Sequence, residues 1–358
     1  MAALATCKFP FVDRWKAAAD GNVILGFIDS VLSGYGQIAF NDNPLSGLLF
    51  MIGCFVGSVQ NGVSSVICAL TATATAYLLR VPAASLRPGL YTFNAALAGM
   101  GIALFIFPGQ AVTGGLVLFS VIGGVLCVFL TAAFSGLLSK WEVPPLALPY
   151  STVLFILVPA SLLLPIIEPT TSVVPHLGEM AVAASQDWTF TGFLTAFMNN
   201  FSEVLWQSAP LSGAFFLAGV LVASRVDFVM AIVGSALASG FAIALGLPQE
   251  SNLIGIYGYN AVLLLLVLFG RGYAMSVRNF LFSVALALIS VLFTVWLSAL
   301  FAPLGAPVAA FPYALLSIFA LLSRNGLAGL RWINPLKWGV PETIAKELKR
   351  EDAQKRQV

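Results

Sequence analysis

Long apolar runs, separated by short breaks at glycine, proline or charged residues, fill most of the chain. A helix needs about 20 apolar residues to cross the roughly 30 Å of bilayer hydrocarbon. The runs lack the period-two alternation of membrane β-barrels, so the pattern predicts an all-α polytopic membrane protein. Six runs precede a more polar stretch and six follow it: 21–40, 44–59, 62–79, 90–108, 111–136 and 145–166, then 189–206, 209–224, 226–247, 253–270, 277–302 and 305–322.

Composition supports this prediction and narrows the chemistry. Of the 358 residues, 59% are hydrophobic and only 9% are charged, whereas a soluble domain carries roughly 25% charged residues. The first residues contain no early apolar core, so we expect no cleaved signal peptide. Four cysteines without metal-ligand spacing and one histidine, His176, predict neither a metal site nor a cofactor. The charged C-terminal stretch predicts a solvated helix and not a nucleic-acid site.

The two sets of runs are copies of each other. "GQIAFNDNPLSG" matches "SEVLWQSAPLSG", which places Pro44 opposite Pro210 at an offset of 166 residues. Asn94 and Asn260 share that offset, while Pro149 and Pro312 are 163 residues apart. The order of the motifs is the same in both halves, so the sequence predicts a tandem duplication.

Lysine and arginine set the predicted orientation, because short cytoplasmic loops carry an excess of them. If both termini are cytoplasmic and each half has five crossings plus one re-entrant helix, only Arg80, Arg87 and Arg225 of the 17 basic residues fall outside. An odd number of crossings makes the halves inverted, as in many transporters. The predicted regions are a cytoplasmic N-terminus (1–20), a first membrane repeat (21–166), an extracytoplasmic linker (167–188), a second repeat (189–324) and a cytoplasmic tail (325–358).

A duplicated motif suggests the lining of a pore. "GLYTFNAAL" starts at Gly89, directly after Pro88, and "GIYGYNAVL" repeats it from Gly255. The Pro-Gly pair breaks a helix, and non-helical backbone at membrane depth is tolerated only where it is buried in protein or lines a cavity. We therefore expect the returning segments to contribute backbone acceptors to one central path.

Glu203 is the clearest candidate side chain, since ionisable groups inside spans cost about 2.5 to 3.5 kcal/mol and are commonly functional. The repeat places the neutral Gln37 opposite it. Phe40 and Trp206 follow three positions later, and the pairs Phe93–Leu97 and Tyr259–Leu263 are each four positions apart, so each set shares a helix face. These rows predict a narrow slot for flat molecules. A helix-end position for Glu203 and ordinary helix packing for the aromatic pairs are the alternatives.

These four motifs, with the paired "LPY" and "FPY" elements, resemble the urea transporter family over residues 20 to 325. The resemblance implies a homotrimer of two-halved protomers in the cell membrane, each with its own pore for channel-like movement of urea. By motif, Gln37 and Glu203 are the paired polar residues. The implied slot residues are Phe40, Phe93, Leu97, Val204, Tyr259 and Leu263, with backbone acceptors around Tyr91, Thr92, Tyr257 and Gly258.

Two departures from the family pattern concern the pore. Ala147 and Ala310 stand where the family usually has a threonine before its central Pro-Phe, and Thr92 stands where a glycine is usual. A centre lined by alanines is either wider and drier, or receives hydroxyls from Tyr150 and Tyr313.

Three functions differ in how well they fit the sequence. A passive channel for urea or a similar small amide fits best. An ion- or proton-coupled transporter would use the same inverted repeats but requires more intramembrane charge than Glu203 supplies. A membrane enzyme lacks a constellation of nucleophile, acid and base.

Overall fold

The computed structural model describes residues 10–109, 111–165, 167, 175–176, 187–334 and 339–355. These residues form sixteen α-helices, and apart from isolated bridges they contain no strand. Three helical stretches among them, Gly114–Ser139, Arg225–Ala244 and Val277–Leu304, are by themselves long and apolar enough to cross a membrane. The prediction of an all-α membrane protein is confirmed. Most of the predicted linker 167–188 lies outside the described residues.

The first half follows a short N-terminal helix and contains seven helices. Asn22, Asn43, Ser58 and Thr113 cap four of them by accepting hydrogen bonds from backbone N–H groups of the first turn. The bounds are α1 Pro10–Gly21, α2 Val23–Gln37, α3 Pro44–Gly57, α4 Val59–Leu78, α5 Ala83–Leu86, α6 Phe93–Phe105, α7 Gly114–Ser139 and α8 Leu148–Ser161.

The second half repeats this order helix by helix. The starts of α3 and α10 differ by 166 residues, and those of α8 and α15 by 163. The bounds are α9 Phe190–Glu203, α10 Pro210–Ala223, α11 Arg225–Ala244, α12 Gln249–Leu253, α13 Tyr259–Leu268, α14 Val277–Phe301 and α15 Phe311–Leu322, followed by the C-terminal α16 Pro341–Lys355. The duplication predicted from the motifs therefore extends to the backbone.

Two consecutive helices of the first half, α2 and α3, run in the same direction. Phe27 packs on Tyr77 with ring centroids 5.7 Å apart, and the Tyr35 and Ser65 hydroxyls are 2.7 Å apart, so α4 runs antiparallel to α2. Because α4 starts two residues after α3 ends, α3 must continue in the direction of α2. The two helices are therefore offset from each other and joined by residues 38–43.

The segment predicted to re-enter contains α6 and packs along α4. Ser64 bonds to the Gly99 carbonyl and Thr73 to Thr92, so α6 runs antiparallel to α4. Gln60 at the far end of α4 reaches the Phe107 carbonyl. The break at Pro88-Gly89 thus lies before a helix that starts inside the protein and runs along most of α4.

Helices α3 and α10 show the inversion directly. The Ser212 hydroxyl donates to the Gly53 carbonyl at 2.8 Å. A side chain at Gly219, the equivalent of Gly53, would meet the carbonyl oxygen of Ser46, the equivalent of Ser212. The Phe50 and Phe216 rings stack at 4.9 Å between them. The helices are antiparallel and related by a local two-fold axis.

The terminal helices lie outside the repeat and contact single halves. Arg87 donates to the Ala19 carbonyl of α1 at 3.0 Å and lies 4.0 Å from Asp20. Its predicted placement on the face opposite the N-terminus was therefore wrong. The predicted orientation treats α2 and α3 as two crossings in opposite directions, whereas they run the same way, and this difference exchanges the ends of α4.

An apolar stripe covers the outer face of α7, where Leu118, Ile122, Val125 and Phe129 are exposed at helical spacing. On α14, Leu281, Ile289, Leu292 and Trp296 are exposed likewise. Such faces are stable against lipid, since hydrocarbon neither competes for hydrogen bonds nor penalises apolar surface.

Candidate functional site

The site begins where two equivalent helices end inside the protein. Helix α2 ends at Gln37 and α9 at Glu203. Three residues later the chain adopts left-handed backbone, with φ of 58° at Phe40 and 53° at Trp206. Bulky side chains rarely adopt this conformation, and it usually persists only where surrounding contacts hold it. Both copies share it, so the turn presents an aromatic ring in each half.

Trp206 and Glu203 line a cavity of about 210 Å³, here named the first mouth. The Asn61 amide donates to the Trp206 carbonyl at 3.1 Å. Phe105 meets the indole edge to face at 5.1 Å, and the Tyr259 ring lies 6.4 Å from it. Neutral groups therefore hold the Trp206 turn, and among the described residues Glu203 is the one acidic side chain that lines this cavity.

The equivalent region of the other half, here named the second mouth, contains a buried ion pair. Phe40 replaces Trp206 and packs edge to face on Tyr313 at 6.3 Å. Asp227 stands 166 positions after Asn61, and Arg271 stands 166 positions after Phe105. Both oxygens of Asp227 accept from Arg271, each at 2.6 Å. The guanidinium carbon lies 5.9 Å from the Phe40 ring centroid.

Sequence reasoning missed this pair, because it counted Arg271 among the cytoplasmic loop residues. The structure buries Arg271 completely, and Asp227 is 1% exposed. Two signals were available: an acid within the run 226–247, and its alignment with an amide in the first copy.

The starts of α8 and α15 lie together at the centre of the molecule. Asn94 donates to the Leu146 carbonyl and accepts from the Tyr150 N–H, both at 3.2 Å. Asn260 accepts from the Tyr313 N–H at 3.3 Å in the other half. The duplicated asparagines thus attach the starts of α6 and α13 to those of α8 and α15. Ala147 and Ala310 are the residues preceding these helices, and both are fully buried.

Tyrosine hydroxyls surround these alanines. The Tyr259 hydroxyl donates to the Ala309 carbonyl, and the Tyr313 hydroxyl lies beside the Ala147 backbone. Tyr150 is buried beside them. Polar groups are therefore present where the threonines of the family pattern are missing.

Among the described residues, the duplicated motif leaves two consecutive backbone carbonyls without a hydrogen bond in each copy: Leu90 and Tyr91, and Ile256 and Tyr257. The Thr92 and Gly258 carbonyls accept from Ala96 and Val262 in the first turns of α6 and α13. Within the described part of the chain, no hydrogen bond reaches the carbonyl oxygen of Tyr91 or Tyr257. Each copy thus has an acceptor directly before a helix that starts inside the protein.

The family model for "Urea transporter" matches residues 28–325. That is most of the chain, including both halves. The chain belongs to the urea transporter family.

Curated relatives agree over a similar extent. Urea transporter 1 of Ovis aries is 26% identical over 298 residues, which cover 83% of this chain and 77% of that protein. Urea transporter 1 of Mus musculus is 26% identical over 323 residues, covering 85% and 78%.

The structure explains one departure from the family pattern. The Thr92 side chain packs on Gly34, and its hydroxyl bonds to Thr73 at 2.8 Å. In the second half Asn200 replaces Gly34 and Gly258 replaces Thr92. The Asn200 amide donates to Ser235 and to Ser239, which is the equivalent of Thr73. Thr92 bonds to α4 in the first half, and Asn200 bonds to α11 in the second. The two side chains therefore replace each other, although Thr92 precedes α6 and Asn200 belongs to α9.

The other candidates occupy three environments. Gln37, Phe40 and Tyr91 are partly exposed, and Tyr257 is buried. Four apolar candidates lie in the buried core: Phe93, Leu97, Val204 and Leu263. Two further acids pair with residues of α1. Asp29 accepts from Trp15 and Lys16, and Asp42 lies 3.9 Å from Lys16.

Proposed function

We propose that this chain mediates channel-like, facilitated movement of urea, or a closely related small neutral amide, down its gradient. Membership of the urea transporter family supports the substrate. The observation that carries the mechanism is the repeated set of groups: in each half an aromatic turn, Phe40 or Trp206, follows an oxygen-bearing side chain, Gln37 or Glu203. The two sets converge from opposite sides on one tyrosine-rich centre.

The chemistry of these groups suits a planar solute rich in N–H donors. The free carbonyl oxygens of Tyr91 and Tyr257, with the side-chain oxygens of Gln37 and Glu203, can accept those hydrogen bonds. An unsatisfied polar group in an apolar medium costs several kcal/mol, so replacing lost water contacts is the main energetic task. Flat aromatic and aliphatic walls orient the molecule, and the buried slot candidates are Phe93, Leu97, Val204, Trp206, Tyr259 and Leu263.

The helix ends at the centre disfavour a cationic solute. Helices α8 and α15 both begin there, and a helix N-terminus carries a partial positive charge. Two such ends oppose the passage of a cation but cost a neutral dipolar molecule little. Release also stays rapid, because binding through dipoles is weaker than binding to a charged site.

Assembly and location belong to the same proposal. We expect a homotrimer in the cell membrane with both termini cytoplasmic, working without a cofactor or metal and catalysing no reaction. Light scattering of the detergent-solubilised protein after size exclusion gives the oligomer mass. Labelling of single cysteines introduced in α1 and α16, in intact cells, gives the side of the termini.

Flux measurements distinguish the channel from the ion-coupled alternative. Proteoliposomes under an outward urea gradient should show rapid stopped-flow light-scattering changes without any ion or proton gradient. Liposomes without protein provide the background. Flux that requires an imposed ion gradient would instead establish a coupled transporter.

Replacing Glu203 tests the site. E203Q keeps one acceptor oxygen but replaces the other with a donor, so urea flux should fall about tenfold, the effect of one lost hydrogen bond of roughly 1.4 kcal/mol. E250Q changes an exposed acid at the start of α12 and should leave flux unchanged. Equal flux in E203Q and the native protein would remove Glu203 from the path.

A further inference from the structure

The second mouth carries a charge pair where the first mouth has an aromatic ring and an amide. Arg271 donates from one nitrogen to Asp227 and to the Leu266 carbonyl, and from the other nitrogen to Asp227. Its Nε has no acceptor among the described residues. The guanidinium is thus fixed in one plane beside the ring of Phe40.

Packing alone does not account for this arrangement. Burying two charges carries a desolvation penalty that well-packed apolar residues avoid. Phe105 fills the equivalent position in the first mouth without charge. Ionised groups buried in a membrane protein commonly mark a function.

The backbone of the two aromatic turns indicates what the pair does. Both turns are left-handed and depend on outside contacts. In the first mouth the Asn61 amide donates to the Trp206 carbonyl. Asp227, at the equivalent position, has no N–H donor when ionised and cannot make that bond to Phe40. Arg271 contacts the Phe40 ring instead.

We propose that Arg271 and Asp227 are positioning residues that hold the Phe40 ring and thereby set the width of the slot at the second mouth. The proposal rests on the proposed function. It assigns discrimination by solute width to this mouth, so that urea passes and N-alkylated ureas are retarded.

The test compares urea with 1,3-dimethylurea in proteoliposomes. D227N/R271M removes both charges together and leaves no unpaired ion. The ratio of urea to dimethylurea permeability should fall at least about threefold, in line with the modest strength of a cation–π contact. Urea permeability itself should change less, because the acceptors of the path remain.

A matched control exists at a second arginine that faces an aromatic ring. Arg324 lies 4.3 Å from the Trp332 ring centroid and pairs with Glu142 at 3.1 Å, at the surface. R324M/E142Q removes the same chemistry there and should preserve the permeability ratio. An equal fall in both double variants would overturn the assignment to the mouth.

Conservative variants keep the test decisive if the double variant does not fold. R271K and D227E retain both charges. R271K loses the paired hydrogen bonds and D227E displaces the carboxylate by one methylene, so each should lower the ratio about twofold. Unchanged ratios in these folded variants would overturn the proposal. A native protein that conducts no urea would instead refute the proposed function, and the two failures are distinguishable.

Discussion

The two mouths share a backbone and differ in chemistry. In the first mouth Asn61 and Phe105 hold Trp206, and Ser58 is partly exposed beside the cavity. In the second mouth Asp227 and Arg271 replace them, and Ser224, the equivalent of Ser58, is completely buried. The covering residue is Glu342 of α16, which accepts from the Ser224 hydroxyl at 2.8 Å and the Val226 N–H at 3.0 Å.

This difference shows which positions of the two halves can diverge after a duplication. Helix ends, left-handed turns and buried asparagines are kept in both halves, because each determines where a helix starts or stops. The charged side chains lie near the second mouth instead. There Asp42, which follows Phe40 by two residues, is also close to Lys16 of α1. The terminal helices have no counterpart in the repeat and so create the asymmetry.

The largest expected effect comes from breaking the charge pair on one side only. D227N leaves Arg271 buried without a counterion, which typically costs about 3 to 5 kcal/mol. We expect a large loss of monodisperse protein after heating in detergent. N61A in the first mouth removes a single neutral hydrogen bond and should cost only about 1 kcal/mol.

The double variant D227N/R271F checks the reason for that loss. It rebuilds the residue pair of the first mouth at the second, so most of the thermal stability should return. If D227N alone were as stable as the native protein, the pair would contribute nothing and the comparison of the mouths would lose its energetic basis.

A second variant tests the exchange between Thr92 and Asn200. A Cβ at Gly258 would overlap the Asn200 side chain, so G258T should destabilise the protein by about 1 to 3 kcal/mol through overpacking. N200G/G258T recreates the Gly34 and Thr92 combination of the first half and should recover much of this, as read from the same heating assay. T92S keeps the hydroxyl and is the mild control. An equally unstable double variant would show that the halves are not interchangeable here.

Much of the fold followed from the sequence because it depends on local signals. Pro44 and Pro210 start helices at the predicted positions, and the repeat predicted matching starts elsewhere. The relative direction of α2 and α3 could not be predicted from the sequence. Their join at residues 38–43 is a polar loop in either arrangement. The direction follows from the contacts of α2 with α4 at Phe27–Tyr77 and Tyr35–Ser65, together with the short link from α3 to α4.

The candidate site was predictable where both copies carry a related residue. Asn94 and Asn260 stood out as equal, and their bonds to the starts of α8 and α15 explain why. Arg271 did not stand out, because its equivalent is a phenylalanine and its neighbours are glycines typical of a loop. Arg271 pairs with Asp227, which is 44 residues away in the sequence. Such a pair depends on tertiary packing and cannot be predicted from sequence spacing.

The smallest expected effect concerns the cover on the second mouth. In E342Q the side chain keeps one acceptor for the Ser224 hydroxyl or the Val226 N–H but loses the negative charge near the N-terminus of α11, a change of about 0.5 to 1 kcal/mol. We expect faster amide hydrogen exchange in 341–355, because Glu342 fixes α16 to α11. E347Q alters an acid of the same helix that forms no ion pair within the described chain, and exchange should stay at the native rate. Equal rates in both variants would mean that the rest of α16, including Pro341 and its packing on Gly270, is sufficient to hold the cover in place.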